Sequence, residues 1–125
     1  MRKIISTPDA PAAIGPYSQA VVYGGLLYCS GQIPLDPKTG EFVGTTVDVQ
    51  AEQVMKNLEA ILKAAGSDFS KVIKCSIFLA DMADFATVNA IYAKYFVSEP
   101  PARETVAVKT LPKNALVEIS CIAAV

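Results

Sequence analysis

Apolar and polar positions along the chain fall into runs of two periods. From Val47 to Ala65, the apolar residues Ala51, Val54, Met55, Leu58, Ile61, Leu62 and Ala65 recur at helical spacing. Gln50, Gln53, Lys56, Asn57, Glu59 and Lys63 fall off that stripe. This predicts an amphipathic helix, with Gly66 suited to a left-handed C-terminal cap. From Val72 to Leu79 the period is two, with Ile73, Cys75, Ile77 and Leu79 alternating with Val72, Lys74, Ser76 and Phe78. That pattern reads as a strand in a sheet covered largely on both sides. Tyr17–Tyr23 and Leu26–Ile33, separated by Gly24-Gly25, read as a hairpin with a primed turn, and Pro34, Asp36-Pro37 and Thr39-Gly40 then open a loop. A second helix is predicted from Asp81 or Asp84, carrying Phe85, Val88, Tyr92, Tyr95 and Phe96 before Pro100-Pro101 stops it. Two strands close the chain, Arg103 to Val108 and Ala115 to Ala124, joined by KTLPKN.

Helices interleaved with mostly hairpin-linked strands indicate an α+β fold, with one mixed sheet and two helices on a single face. Val117, Ile119, Cys121 and Ala123 make one apolar face of the last strand, and Leu116, Glu118, Ser120 and Ile122 make the other. With both helices on one side, Phe78, Leu116 and Ile122 are left uncovered unless sister subunits pack there. At 125 residues the whole chain, 1–125, is expected to form a single domain. Its composition, 52% hydrophobic and 18% charged, exceeds the apolar share of about 45–50% usual for soluble domains. A closed cyclic oligomer with an apolar interface accounts for the excess.

Charge and residue types then narrow the chemistry. Eleven Lys and Arg against twelve Asp and Glu leave a net charge of −1 with no basic run, so no nucleic-acid partner is expected. Neither a signal-peptide core nor a run of 18 apolar residues is present, so no membrane association and a cytoplasmic location are expected. Cys29, Cys75 and Cys121 lack CxxC spacing and read as buried reduced thiols. There is no histidine. That excludes Ser-His-Asp and Cys-His nucleophile systems and the histidine-bearing metal motifs. No metal site, and no dinucleotide fingerprint such as GxGxxG, can be recognised. The reaction, if there is one, must need little proton transfer from side chains and no cofactor.

Few residues are left to carry it. Arg103 opens a strand after Pro100-Pro101-Ala102, where a planar fork of donors could grip a carboxylate in two-pronged fashion, or could equally form a surface ion pair with Glu99 or Glu104. Glu118 sits mid-strand among Leu116, Ser120 and Ile122, where an ionised carboxylate needs a partner. If the last two strands pair as a hairpin, Thr105 faces Glu118 and Arg103 lies diagonally within reach, so a structural Arg103–Glu118 pair and a functional site are both consistent with the pattern. Tyr17 follows Gly15-Pro16 at the start of the first hairpin strand. Ser30 precedes Gly31, which permits a bulge or a close approach by a ligand. Asn89, beside the stripe of Phe85, Val88 and Tyr92, reads as scaffold.

The strings AAIGPYSQA, CSGQIPLDPKTG, QVMKNLEAILKAAG, KCSIFLADMADFATVNAIYAKYF and PPARETVAVKTLPKNALVEISCIA together resemble the RidA/YjgF family over nearly the whole chain. The resemblance implies a chorismate-mutase-like subunit, a homotrimer around a central sheet-lined barrel, and ligand clefts between subunits. It implies a 2-iminobutanoate/2-iminopropanoate deaminase that hydrolyses 2-imino and enamine acids, 2-aminoacrylate among them, to 2-keto acids and ammonia. Residue by residue, it makes Arg103 the clamp for the substrate carboxylate and Glu118 the holder of the attacking water. Tyr17, Ser30 and Gly31 line the cleft, and the backbone amide of Thr105 faces the ligand. Many relatives have cysteine where this chain has Thr105, so thiol-directed modification is not expected there. A non-catalytic trimer that binds a 2-keto acid or amino acid for regulation would use the same clamp. A ribonuclease activity, also attached to the family, finds neither a histidine pair nor a basic groove here.

Overall fold

The computed structural model describes residues 1–125. Six strands form one sheet: β1 (Lys3–Ile5), β2 (Ala20–Tyr23), β3 (Leu26–Cys29), β4 (Val72–Leu79), β5 (Ala102–Ala107) and β6 (Val117–Ala124). Two helices, α1 (Val47–Ala64) and α2 (Phe85–Ala93), pack on one of its faces, giving the α+β class. The strand order is β1-β2-β3-β6-β4-β5, antiparallel throughout except for β4 and β5, which run parallel on either side of α2.

α1 buries the expected stripe of Ala51, Val54, Met55, Leu58, Ile61 and Leu62. Its end is closed by Ser67 N–H donating to the Leu62 carbonyl and Gly66 N–H to the Lys63 carbonyl, the two bonds of a Schellman cap. Gln50 and Asn57, expected off the stripe, are buried as well, because each satisfies backbone groups of an adjoining loop. The β2–β3 turn holds Gly24 and Gly25 at φ 61° and 80°, the paired positive values of a primed turn.

Several expectations are corrected. β1 is a strand that the apolar pattern does not predict, and the hairpin strands are shorter than their apolar runs: Tyr17 precedes β2 and Ser30 follows β3. In β4 a bulge between Val72 and Lys74 turns Ile73 outward and Val72 inward, reversing the predicted faces at that end. The second helix begins at Phe85 with Asp84 at its N-cap position, as expected, after a 3₁₀ turn over Met82–Asp84 that Asp81 caps by accepting from the Ala83 N–H, but it ends at Ala93, short of Tyr95 and Phe96. The largest correction concerns the last two strands. β5 and β6 do not pair, because β4 lies between them. β6 has one wholly buried face, Val117, Ile119, Cys121 and Ala123, and takes the centre of the sheet. The mostly exposed β5 takes the edge.

The core lies between the helices and this buried sheet face. The opposite face is open. Tyr28 and Val106 are exposed there, Phe78, Leu116 and Ile122 are half-buried, and Lys74 bridges Glu104 at 3.0 Å beside Ser76, whose hydroxyl also bonds Glu104. No helix is long and apolar enough to cross a membrane.

Candidate functional site

β4 decides where the candidate residues go. Cys75 pairs with Arg103 and Ile77 with Thr105 on one side of β4, while Phe78 pairs with Glu118 on the other. Side chains alternate between faces along a strand. Arg103 and Thr105 therefore share the helix-side face with Cys75 and Ile77, and Glu118 shares the open face with Phe78. The expected diagonal contact between Arg103 and Glu118 does not exist within one chain. The candidates separate into two half-sites.

The first half-site is a cavity of about 610 Å³ whose lining includes Tyr17, Ser30, Gly31, Lys113 and Glu118. It brings together four of the residues singled out from the sequence. Ser30 is fixed by its hydroxyl donating to the Ser18 carbonyl at 2.6 Å and its N–H donating to the Gln19 carbonyl at 2.9 Å. A Cβ on Gly31 would lie 2.6 Å from Glu118 Oε2, so only glycine lets the carboxyl rest against this backbone. Burial pushes the Glu118 carboxyl above the usual carboxylate range, and no cation within the chain opposes that. Its walls are irregular backbone held by two buried amides. Gln19 donates to the carbonyls of Thr7, Ala10 and Pro11 and accepts from the Thr7 N–H, tying down the N-terminal arm. Asn57, 1% exposed, donates to the carbonyls of Ile33 and Leu35 and accepts from Gln53, tying down the loop after Gly31.

The second half-site surrounds Arg103. Its guanidinium carbon lies 5.0 Å from the Tyr92 ring centre and 5.6 Å from that of Phe85, and Nη1 donates to Asn89 Oδ1 at 2.7 Å. The surface ion pair with Glu99 or Glu104 is not formed, since Glu104 bridges Lys74 on the other face. Arg103 lines an open cavity of about 410 Å³ with Asn89, Tyr92, Pro100 and Pro101. Thr105 lies two positions along the same face, half-buried, with a hydroxyl that finds no partner. Beneath Arg103, burial pushes the Cys75 thiol up to about 12, and Cys29 and Cys121 are likewise buried and unbridged. Burial thus holds Cys75 as the protonated, unreactive thiol.

Asn89, whose pattern reads as scaffold, is thus a partner of Arg103. The legible signal was its place four residues after Phe85 and three before Tyr92, on the helix face that meets the arginine. Gln19, Asn57 and Lys113 carried no such signal. Their roles depend on loops whose paths local pattern does not reveal.

Known proteins resemble the chain throughout its length. The profile described as Endoribonuclease L-PSP matches residues 7–125. A mouse protein named 2-iminobutanoate/2-iminopropanoate deaminase is 54% identical over 123 residues, covering 98% of this chain and 91% of its own. A Lactococcus lactis protein named as a regulator, AldR, is 59% identical over 123 residues, covering 98% of both chains. The crystal structure of Escherichia coli TdcF with bound serine superposes with a TM-score of 0.94 at 43% identity, over 98% of each chain. A match of this extent, on one fold and without a break from the N-terminal arm to the last strand, places the chain in the Endoribonuclease L-PSP family, the RidA/YjgF family.

Proposed function

We propose that the protein is a cytoplasmic deaminase that hydrolyses small 2-imino and enamine acids to 2-keto acids and ammonia, working as a homotrimer closed around a central barrel of sheets. The observation that carries this reading is the division of the site. One chain holds a carboxyl over a backbone glycine in one open cavity and an arginine with a free edge in another, on opposite faces of the same sheet. A cyclic arrangement sets the Arg103 half-site of one subunit against the Glu118 half-site of the next. The apolar residues at the first rim fit burial in such a joint, Ile14 being 86% and Tyr17 54% exposed in the single chain. The names of the deaminase relatives support the reaction class.

The chemistry suits a site without histidine. A 2-iminium acid is already electrophilic at C2, so orientation, a placed water and charge stabilisation are enough. Arg103, stacked on Tyr92 and steered by Asn89, presents its remaining donors to the substrate carboxylate. Glu118, with its raised proton affinity, accepts a proton from the water as oxygen adds to C2. The tetrahedral adduct then collapses with cleavage of the C–N bond, and the nitrogen leaves as ammonia after taking up a proton. Tyr17 and Ser30 close the cleft, and the Thr105 backbone amide donates to the ligand. No cofactor takes part.

The test is subunit complementation. Arg103→Ala and Glu118→Ala should each be inactive as pure trimers, whereas co-refolding equal amounts should restore about a quarter of the sites, because each site draws one residue from each neighbour. Absence of recovery from correctly assembled mixed trimers would exclude the shared cleft. A second reading, a ligand-binding regulator, is favoured by the name of the L. lactis relative. Release of ammonia and keto acid from freshly generated 2-aminoacrylate or 2-iminobutanoate separates the two.

A further inference from the structure

One wall of the Glu118 cavity has an unusual backbone. Lys113 (φ 55°, ψ 25°) and Asn114 (φ 58°) are consecutive non-glycine residues in the left-handed region. Asparagine tolerates that region, but lysine has no local compensation there. The conformation is held from outside. Leu111 and Ala115, on either side, are buried, the Asn114 N–H donates to the Leu111 carbonyl at 3.0 Å, and the Ala115 N–H donates to that of Pro112 at 3.1 Å. Strain kept in place by its surroundings at the wall of a cavity points to a functional reason for the side chain it presents.

Lys113, exposed and lining both this cavity and a second one beside Phe42 and Gln50, is an unpaired cation. The two salt bridges of the chain are Lys74–Glu104 and Lys94–Glu52, and Lys113 has no carboxylate partner, Glu118 included, although both line the same cavity. Ile33 and Leu35 offer apolar wall to the stem of a longer substrate, and Lys113 is the cation in the lining.

We propose that Lys113 forms an anion subsite in this cavity and selects 2-imino acids whose side chain ends in a second carboxylate. This rests on the deaminase reading above. The reaction is unchanged: R–C(=NH2+)–COO− plus water gives R–C(=O)–COO− plus ammonium, with water oxygen bonding C2 as the C–N bond breaks. The ammonium of Lys113 holds R and exchanges no proton.

The measurement is a specificity ratio, kcat/KM for 2-iminoglutarate over that for 2-iminobutanoate, each imine generated in the assay by oxidation of the parent amino acid. Lys113→Gly accepts the backbone angle without strain and so retains the loop. Lys113→Arg keeps the charge. The ratio should fall about tenfold in Lys113→Gly and recover in Lys113→Arg, as loss of one charge-assisted contact predicts. A ratio within about twofold of wild type in Lys113→Gly overturns the subsite, whatever happens to the absolute rates. Should the wild type turn over neither imine, the deaminase reading fails separately. The same ratio, read from Kd values for 2-oxoglutarate and 2-oxobutanoate by calorimetry, then decides the subsite alone.

Discussion

The carboxyl of Glu118 lies where the side chain of residue 31 would be: a Cβ on Gly31 would stand 2.6 Å from Oε2 and 2.8 Å from Cδ. The loop and the central strand approach this closely because Gln32 bridges Ile119 through both backbone hydrogen bonds, at 2.8 and 3.1 Å.

Gly31→Ala should therefore displace the carboxyl rather than the backbone. A misplacement of this kind near the reacting atoms costs on the order of 100-fold in rate. The expected result is a loss of that size in kcat with little change in melting temperature. Near-normal kcat in a folded variant would show that the position of Glu118 is immaterial.

Arg103 is held by stacking and by one hydrogen bond to Asn89. Arg103→Lys keeps the charge but loses the planar fork, and kcat/KM on 2-iminobutanoate should drop by about 100-fold or more while the protein stays assembled. Asn89→Leu leaves the guanidinium intact but unsteered, and a smaller loss, about tenfold, is expected. Steady-state rates measured beside sedimentation equilibrium check both. Unchanged turnover in Arg103→Lys would remove the arginine from the site.

Burial raises the proton affinity of Glu118 in the folded chain. A carboxyl raised in this way contributes stability that is complete below its unfolded value, about 4.3, and is lost as pH rises through the higher folded value. Glu118→Gln stays neutral throughout. Its melting temperature should pull ahead of wild type as the pH is taken from about 5 to about 8, even though its turnover is lower. Wild-type turnover should fall on the acid side, where the protonated carboxyl no longer accepts a proton from water. A constant difference in melting temperature across that range would contradict the burial argument.

Asn57→Leu preserves size but leaves the Leu35 carbonyl without its side-chain donor and the Ile33 carbonyl with the Leu35 N–H alone. A buried carbonyl stripped of its partner costs about 1–3 kcal/mol, and the half-buried Leu35 carbonyl falls at the low end of that range. A destabilisation of that order is expected in denaturant unfolding. KM should rise as well, because the freed loop carries one wall of the cavity. A loss of stability without any change in KM would show that Asn57 serves the core alone.

Element types were legible wherever a residue's environment follows from its near neighbours. The α1 stripe, the Gly24-Gly25 turn and the alternation of β6 all hold in the fold, and Tyr17, Ser30, Gly31 and Glu118, each singled out from the sequence, line one cavity. The arm and loop forming that cavity were not legible. Gln19 and Asn57 hold backbone 8 to 24 residues away in sequence, and nothing in an amide's local setting names such a partner.

Strand order was settled by packing alone. KTLPKN could have closed a hairpin between β5 and β6, but that would have left β4, with Cys75, Ile77 and Leu79 to bury, without β6 as its neighbour. Inserting β4 between them surrounds the most apolar strands with others and puts the polar one at the edge. The same insertion sends Arg103 to one face and Glu118 to the other. Local periodicity governs which residues each strand turns inward, because it depends on a few adjacent side chains. Which strands become neighbours depends on how much apolar surface each arrangement removes from water, a property of the whole chain.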